Sequence, residues 1–259
     1  MDQGRIDVES RGAVTIITIN RPAKRNALSD GLIYAIRDVF QNMPESVRAA
    51  VLCGEGEHFC AGLDLSELSE RDAGQGMHHS RMWHAALEKV QYGPVPVVAA
   101  LHGAVVGGGL ELASACHIRV ADESTFYALP EGSRGIFVGG GGSVRIPRLM
   151  GVARMTDMML TGRVYDANEG VQVGLAQYLV PDGEGLAKGI ALARRIATNA
   201  PMSNYAVMHA LPRIADQAQS EGLLTESLMA AVAESTPEAQ SRLRAFLEGR
   251  AGKVVKSTS

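Results

Sequence analysis

Along the first half of the chain, short apolar runs alternate with longer amphipathic stretches. Ile6 to Glu9 and Val14 to Asn20 read as two strands, because β-branched residues fill them and Ser10-Arg11-Gly12 supplies a turn between. Ser29 is placed to cap a helix reaching Met43, with Leu32, Ala35, Ile36 and Phe40 on one face. Arg48 to Cys53 is a short buried strand. A polar stretch, Glu67 to Gly76, then precedes a helix from about Met77 to Gln91. Gly93-Pro94-Val95-Pro96 stops that helix, and Val97 to Leu101 is apolar throughout, as in a strand buried on both faces. Gly107 to Gly109 turns into a helix over Leu110 to Cys116, and His117 to Ala121 is the next strand. Thr125 to Ala128 and Gln177 to Val180 read as two more. Beyond Gly142 the pattern is mostly helical, with segments at Val144–Met150, Ala153–Thr161, Ala167–Val173, Glu184–Thr198, Met202–Ile214, Gly222–Glu234 and Pro237–Gly249. The pattern predicts an α/β core followed by a helical C-terminal region. Leu223, Leu224, Leu228, Met229 and Val232, with Leu243, Phe246 and Leu247, form apolar faces that suggest contact with another subunit.

Composition narrows the classes of partner. A net charge of -3 over 259 residues leaves no clustered cation for nucleic acid. The charged N-terminus, the lack of a long apolar run and three unpaired-looking cysteines fit a cytoplasmic protein. There is no H-E-x-x-H or C-x-x-C, so no metal site is expected. The glycine triplets match neither the dinucleotide fingerprint nor the P-loop, and no G-x-S-x-G marks a nucleophilic serine. Cys60 and Cys116 sit in apolar sequence and read as buried thiols. His78 and His79 read as a solvated helix face.

Candidate chemistry concentrates between Leu101 and Gly142. Gly107-Gly108-Gly109 joins a strand to a helix. It reads either as a tight turn or as a close backbone approach whose free N–H groups meet a developing oxyanion. Glu111 reads either as a carboxylate favoured by the helix dipole or as an acid–base group perturbed by Leu110, Leu112 and Ala113. Glu131 follows Ala128-Leu129-Pro130 and reads either as a solvated loop carboxylate or as an acid–base group beside an apolar run. In Phe59 to Leu65, Ala61-Gly62-Leu63 is small enough to bring a backbone N–H to a ligand carbonyl. The Gly139–Gly142 run acquires no chemical role from its sequence.

Several motifs in order carry a family resemblance: Asn20-Arg21-Pro22 with Asn26-Ala27-Leu28, then Phe59-Cys60-Ala61-Gly62-Leu63-Asp64-Leu65, then His102 through Leu112. Leu129-Pro130-Glu131, Gly139–Gly142 and Pro147-Arg148-Leu149-Met150-Gly151 complete the set. Together they resemble the crotonase superfamily of enoyl-CoA hydratases and isomerases over nearly the whole chain. The resemblance implies a spiral of ββα turns over residues 1–200, a helical trimerisation region over 201–259, and a homotrimer or homohexamer. It implies an acyl-CoA thioester as substrate, with no separate cofactor. The thioester oxygen would lie between the N–H groups of Leu63 and Gly108. Glu111 and Glu131 together match the hydratases, which add water across a 2-trans-enoyl-CoA. Isomerases often keep only the second glutamate; isomerisation, another crotonase-type reaction on an unusual acyl-CoA, and a non-catalytic acyl-CoA- or RNA-binding member are the alternatives. Lys24 and Arg25 would meet CoA phosphates, and Ala61 and Asp64 would line the adenine pocket. Lys253 would replace a basic residue missing after Phe246-Leu247-Glu248. Tyr127-Ala128-Leu129 and Val138 depart from the usual hydratase sequence. Met77, Met82, Trp83, Leu87 and Phe137 are therefore expected along an acyl pocket of altered preference.

Overall fold

The computed structural model describes residues 4–67 and 72–250. Two compact units divide it, residues 1–197 and 198–259. In the first unit the strands are β1 (Arg5–Arg11), β2 (Val14–Asn20), β3 (Ala49–Gly54), β4 (Val97–Leu101), β5 (Ala104–Val106), β6 (Ile118–Asp122), β7 (Phe126–Ala128), β8 (Tyr165–Asp166) and β9 (Tyr178–Val180). Its helices are α1 (Asp30–Gln41), α2 (Ala73–Gln91), α3 (Gly108–Ala115), α4 (Gly142–Met150), α5 (Val152–Thr161), α6 (Ala167–Val173) and α7 (Gly185–Ala197). A six-stranded sheet has the order β1-β2-β3-β4-β6-β9, antiparallel only at the β1–β2 hairpin. A small second sheet has the order β5-β7-β8.

Two-residue periodicity explains why the large sheet is apolar on both faces. In β2, Ile17 and Ile19 turn toward one core with Leu32, Ile36 and Phe40 of α1 and Leu87 and Val90 of α2. Val14 and Ile16 turn the other way, toward Ile190 and Ala193 of α7. Each of the valine, leucine, isoleucine and phenylalanine side chains among these contributes about 1.5–3 kcal/mol by leaving water. Ser29 caps α1 by accepting a hydrogen bond from the Leu32 N–H at 3.2 Å.

Within the first unit the structure departs from the sequence pattern in three places. Helix α2 begins at Ala73, four residues before Met77, because Asp72 and Gln75 form a reciprocal capping box. Residues 72–76 of the polar stretch are therefore cap and helix, while 68–71 lie outside the described residues. Strands β5 and β8 are only three and two residues long, and each has a partner from a distant segment, which local pattern does not encode.

The second unit contains α8 (Pro201–Tyr205), α9 (Leu211–Ala215), α10 (Gln219–Glu234) and α11 (Pro237–Leu247). The single helix expected over Met202–Ile214 has a π-helical turn at Ala206–Ala210, just before Pro212, a residue that cannot donate a helical hydrogen bond. Among the described residues no helix is long and apolar enough to cross a membrane.

Candidate active site

The end of β5 feeds directly into α3 through Gly107. That residue has φ +52°, and a Cβ there would stand 2.9 Å from an Oε1 of Glu131. Two residues on, a Cβ at Gly109 would strike the Cys60 carbonyl oxygen at 2.2 Å, so α3 packs against the Cys60 segment only with glycine there. That segment lies alongside β5: Cys60 N–H donates to Ala104 O at 2.9 Å, and Val106 N–H donates to Cys60 O at 3.1 Å. On its other side it pairs with Leu28, whose N–H donates to Gly62 O at 2.7 Å and whose carbonyl accepts from Asp64 N–H at 2.9 Å.

Leu63 is thus fixed on both flanks beside the first residue of α3. A Cβ built on Gly108 would be 3.3 Å from the Leu63 nitrogen, and one on Gly62 would be 3.2 Å from the Gly108 nitrogen. Neither N–H donates to an acceptor among the described residues. Two unused donors side by side, one of them at a helix start, can together stabilise an oxyanion.

Both glutamates reach the same cavity. It measures about 500 Å³ and includes Ala61, Leu63, Gly108, Glu111, Glu131 and Trp83 in its wall. Glu111, only 4% exposed, projects from the first turn of α3. Its Oε1 accepts from the Gly140 and Gly142 N–H groups, each at 2.8 Å. Burial still dominates and raises its pKa above the ordinary glutamate value, against the lowering effect of those hydrogen bonds and of Arg145. Glu131, in a 3-10 turn after Pro130, is also raised, first by burial and then by the charge of Glu111. Its Oε2 is buried without a hydrogen-bond partner among the described residues.

The glycine run left without a role by its sequence is the device that holds Glu111. Arg145 of α4 secures it, with Nη1 donating to Gly140 O at 3.0 Å and Nε to Gln91 Oε1 at 2.6 Å. Ser80 of α2 secures the preceding residue by donating to Gly139 O at 2.6 Å. Sequence reading missed Ser80 because it acts on a backbone oxygen 59 residues away, and Arg145 because its role depends on joining Gly140 O to the Gln91 side chain, 54 residues away.

Phe137 also lines the cavity. Lys24, Arg25 and Asp64 do not. Lys24 and Arg25 are exposed on the loop before α1, although Ala61 N–H donates to Arg25 O at 2.9 Å and brings that loop to the cavity's edge. Asp64 makes a buried ion pair with Arg21 at 2.8 Å. The Ser66 hydroxyl and then Arg21 hold its carboxyl down to about 2. Asn26 likewise is a scaffold, fully buried and bonded to the backbones of Arg21, Glu55 and His58. Burial pushes the Cys60 and Cys116 thiols up to about 12, consistent with unreactive core residues. Lys253 lies outside the described residues.

Helix α2 corrects the expected acyl-pocket wall. Gly76, His79, Ser80 and Trp83 line the cavity, spaced i, i+3, i+4 and i+7. Met77 points outward and is 61% exposed, Leu87 is in the core, and Met82 packs against that core. His78 is exposed as expected, whereas His79 is half-buried and faces the cavity. Of the helix residues expected along the pocket only Trp83 lines the cavity, and a one-residue rotation separates its stripe from the methionines.

The model of the family described as enoyl-CoA hydratase/isomerase matches residues 9–254. An enoyl-CoA hydratase of Mycobacterium tuberculosis is 31% identical, with 94% of each chain covered. A short-chain-enoyl-CoA hydratase of Clostridium acetobutylicum is also 31% identical, over 96% of this chain and 97% of its own. Among solved structures, a Rhodopseudomonas palustris protein provisionally named enoyl-CoA hydratase is 60% identical, with a TM-score of 0.92 over 95% of both chains. An enoyl-CoA hydratase of Bacillus anthracis is 34% identical, with a TM-score of 0.88 over 95% of this chain and 97% of that one. The chain therefore belongs to the enoyl-CoA hydratase/isomerase family and has the α/β crotonase fold, with two sheets and a helical C-terminal region.

Proposed function

We propose that the protein hydrates a 2-trans-enoyl-CoA thioester to the 3-hydroxyacyl-CoA. The observation carrying this reading is the opening of two buried carboxyl groups and two unused, adjacent N–H donors into one cavity. The thioester oxygen accepts from Leu63 N–H and Gly108 N–H. Glu111 takes a proton from water as its oxygen bonds to Cβ. The electron pair of the double bond moves toward the thioester, whose oxygen gains negative charge beside the two donors. Glu131 then delivers a proton to Cα, and the charge collapses. Each oxyanion donor is worth about 2.7–4 kcal/mol in comparable sites. Raised glutamate pKa values suit this work, because one group must accept a proton and the other must carry one near neutral pH. Ala61 lies beside the thioester, and Lys24 and Arg25 lie where the CoA phosphates leave the cavity. Trp83 and Phe137 contact the acyl group.

Hydration removes the conjugated double bond, so loss of thioester absorbance across a panel of enoyl-CoA substrates measures it. Glu111→Gln and Glu131→Gln are each expected to lower kcat by about 100-fold or more. Full activity in both variants would remove the two-glutamate mechanism. Loss of activity only in Glu131→Gln, with double-bond migration as the product, would assign isomerisation instead. The second unit is proposed as the trimerisation region, with Leu228 and Phe246 on its apolar faces meeting further copies of the same chain.

A further inference from the structure

The cavity wall contributed by α2 is polar one turn beyond Trp83, and this turn bears on the acyl group. The benzo edge of Trp83 backs the reacting centre: a Cβ on Gly108 would be 3.1 Å from its Cζ3, and one on Gly140 would be 3.1 Å from its Cε3. His79 lies one helical turn earlier on the same face, its ring centroid 6.2 Å from that of Trp83. An acyl chain anchored at the Leu63 and Gly108 N–H groups that runs along Trp83 therefore arrives at His79.

His79 is not free to rotate toward solvent. Its Nε2 is 2.7 Å from Oδ1 of Asp30, the first residue of α1, and the ring is only half-buried in the cavity wall. With Nε2–H donated to the carboxylate, the neutral imidazole has Nδ1 as a lone-pair acceptor. Nδ1 has no partner among the described residues. Its neighbours in the wall do not compete for it. Ser80 donates to Gly139 O and accepts from His84. Arg134, across the cavity, acts on the carboxyl of Glu131.

Resting on the acyl-thioester reading above, we propose that His79, oriented by Asp30, is a specificity-determining residue for acyl groups bearing a hydroxyl at their far end. The hydroxyl donates to Nδ1, while the chain before it lies on Trp83. A carboxylate in the same place would meet the Asp30 carboxylate behind the ring. A plain alkyl end would leave Nδ1 desolvated and unpaired, which costs more than the bond itself gains.

The test is calorimetric titration with unreactive saturated thioesters of matched length: hexanoyl-CoA, 6-hydroxyhexanoyl-CoA and 5-carboxypentanoyl-CoA. The full-length protein is expected to bind the hydroxylated chain about fivefold or more tightly than hexanoyl-CoA. In His79→Leu that ratio is expected to fall to about one. In Asp30→Asn, where the ring is held less firmly in one tautomer, it is expected to be intermediate. Equal affinity for the two chains in the parent protein overturns the proposal, as does tightest binding of the carboxylated chain or an unchanged ratio in His79→Leu. The parent titration decides even if a variant fails to fold. Binding is read without turnover, so a hydroxyl preference in a protein that hydrates no enoyl-CoA would overturn the hydratase reading and leave this one standing.

Discussion

Glu111 and Glu131 show how much of the site single residues carry. Their apolar surroundings were visible in sequence, and the structure buries both side chains. Their shared cavity was not visible, because it depends on where β5, α3 and the turn after Pro130 meet. Burial raises both pKa values in the folded chain above the ordinary value of about 4.3. Protonation is thereby coupled to folding: the stability this supplies is complete below the unfolded value and is lost as pH rises through the folded one. Above both values an ionised Glu111 is then a cost to the folded state. Glu111→Gln keeps an oxygen for the Gly140 and Gly142 N–H groups but removes the charge. Its Tm is expected to exceed the parent's at pH 7.5, by about 2–4 °C per kcal/mol recovered. The difference should shrink toward pH 4, as measured by scanning calorimetry at both values. A variant less stable than the parent at pH 7.5 would show that the ionised carboxyl is favoured where it lies.

At the scale of elements, the order of strands and helices was legible wherever burial imposes a period. β2, β3 and β4 read as strands because both faces are covered, and α1 because Ser29 and its apolar stripe agree. Elements defined by a distant partner were not legible: β5 and β8, and the loop that grips Glu111. That loop is fastened from α2 and α4 through Ser80 and Arg145, so the Glu111 carboxyl is held by elements other than its own. Arg145→Gln is expected to lower kcat by about tenfold or more with little change in KM, because misplacement of a reacting group is felt in the transition state. The positive charge of Arg145 also lowers the Glu111 pKa. Its removal should move the acid limb of the kcat profile to higher pH. Arg145→Lys restores the charge without the paired donors, so its limb is expected to stay while kcat remains reduced. An unshifted limb in Arg145→Gln would reduce Arg145 to a packing role.

For the whole molecule, the telling feature is what the described surface leaves uncovered. On α10, Leu224 and Leu228 are 62% and 61% exposed, and on α11 Phe246 is 56% exposed. Side chains of this size bring about 1.5–3 kcal/mol each when removed from water, and contiguous apolar faces are rarely left open on a monomer. Positions 224 and 228 are one turn apart on α10, and 243, 246 and 247 share one face of α11, so each helix presents a stripe. A closed assembly of identical chains covers such stripes without the open-ended growth that exposed patches otherwise invite. The full chain is therefore expected to be a homotrimer or homohexamer by light scattering at micromolar concentration. Leu228→Glu combined with Phe246→Glu should shift it to smaller species, since burying two unpaired carboxylates costs more than the interface recovers. The double variant should retain its far-ultraviolet helical signal, which separates lost assembly from lost folding. A parent protein that remains monomeric at that concentration would leave the stripes without the partner proposed for them.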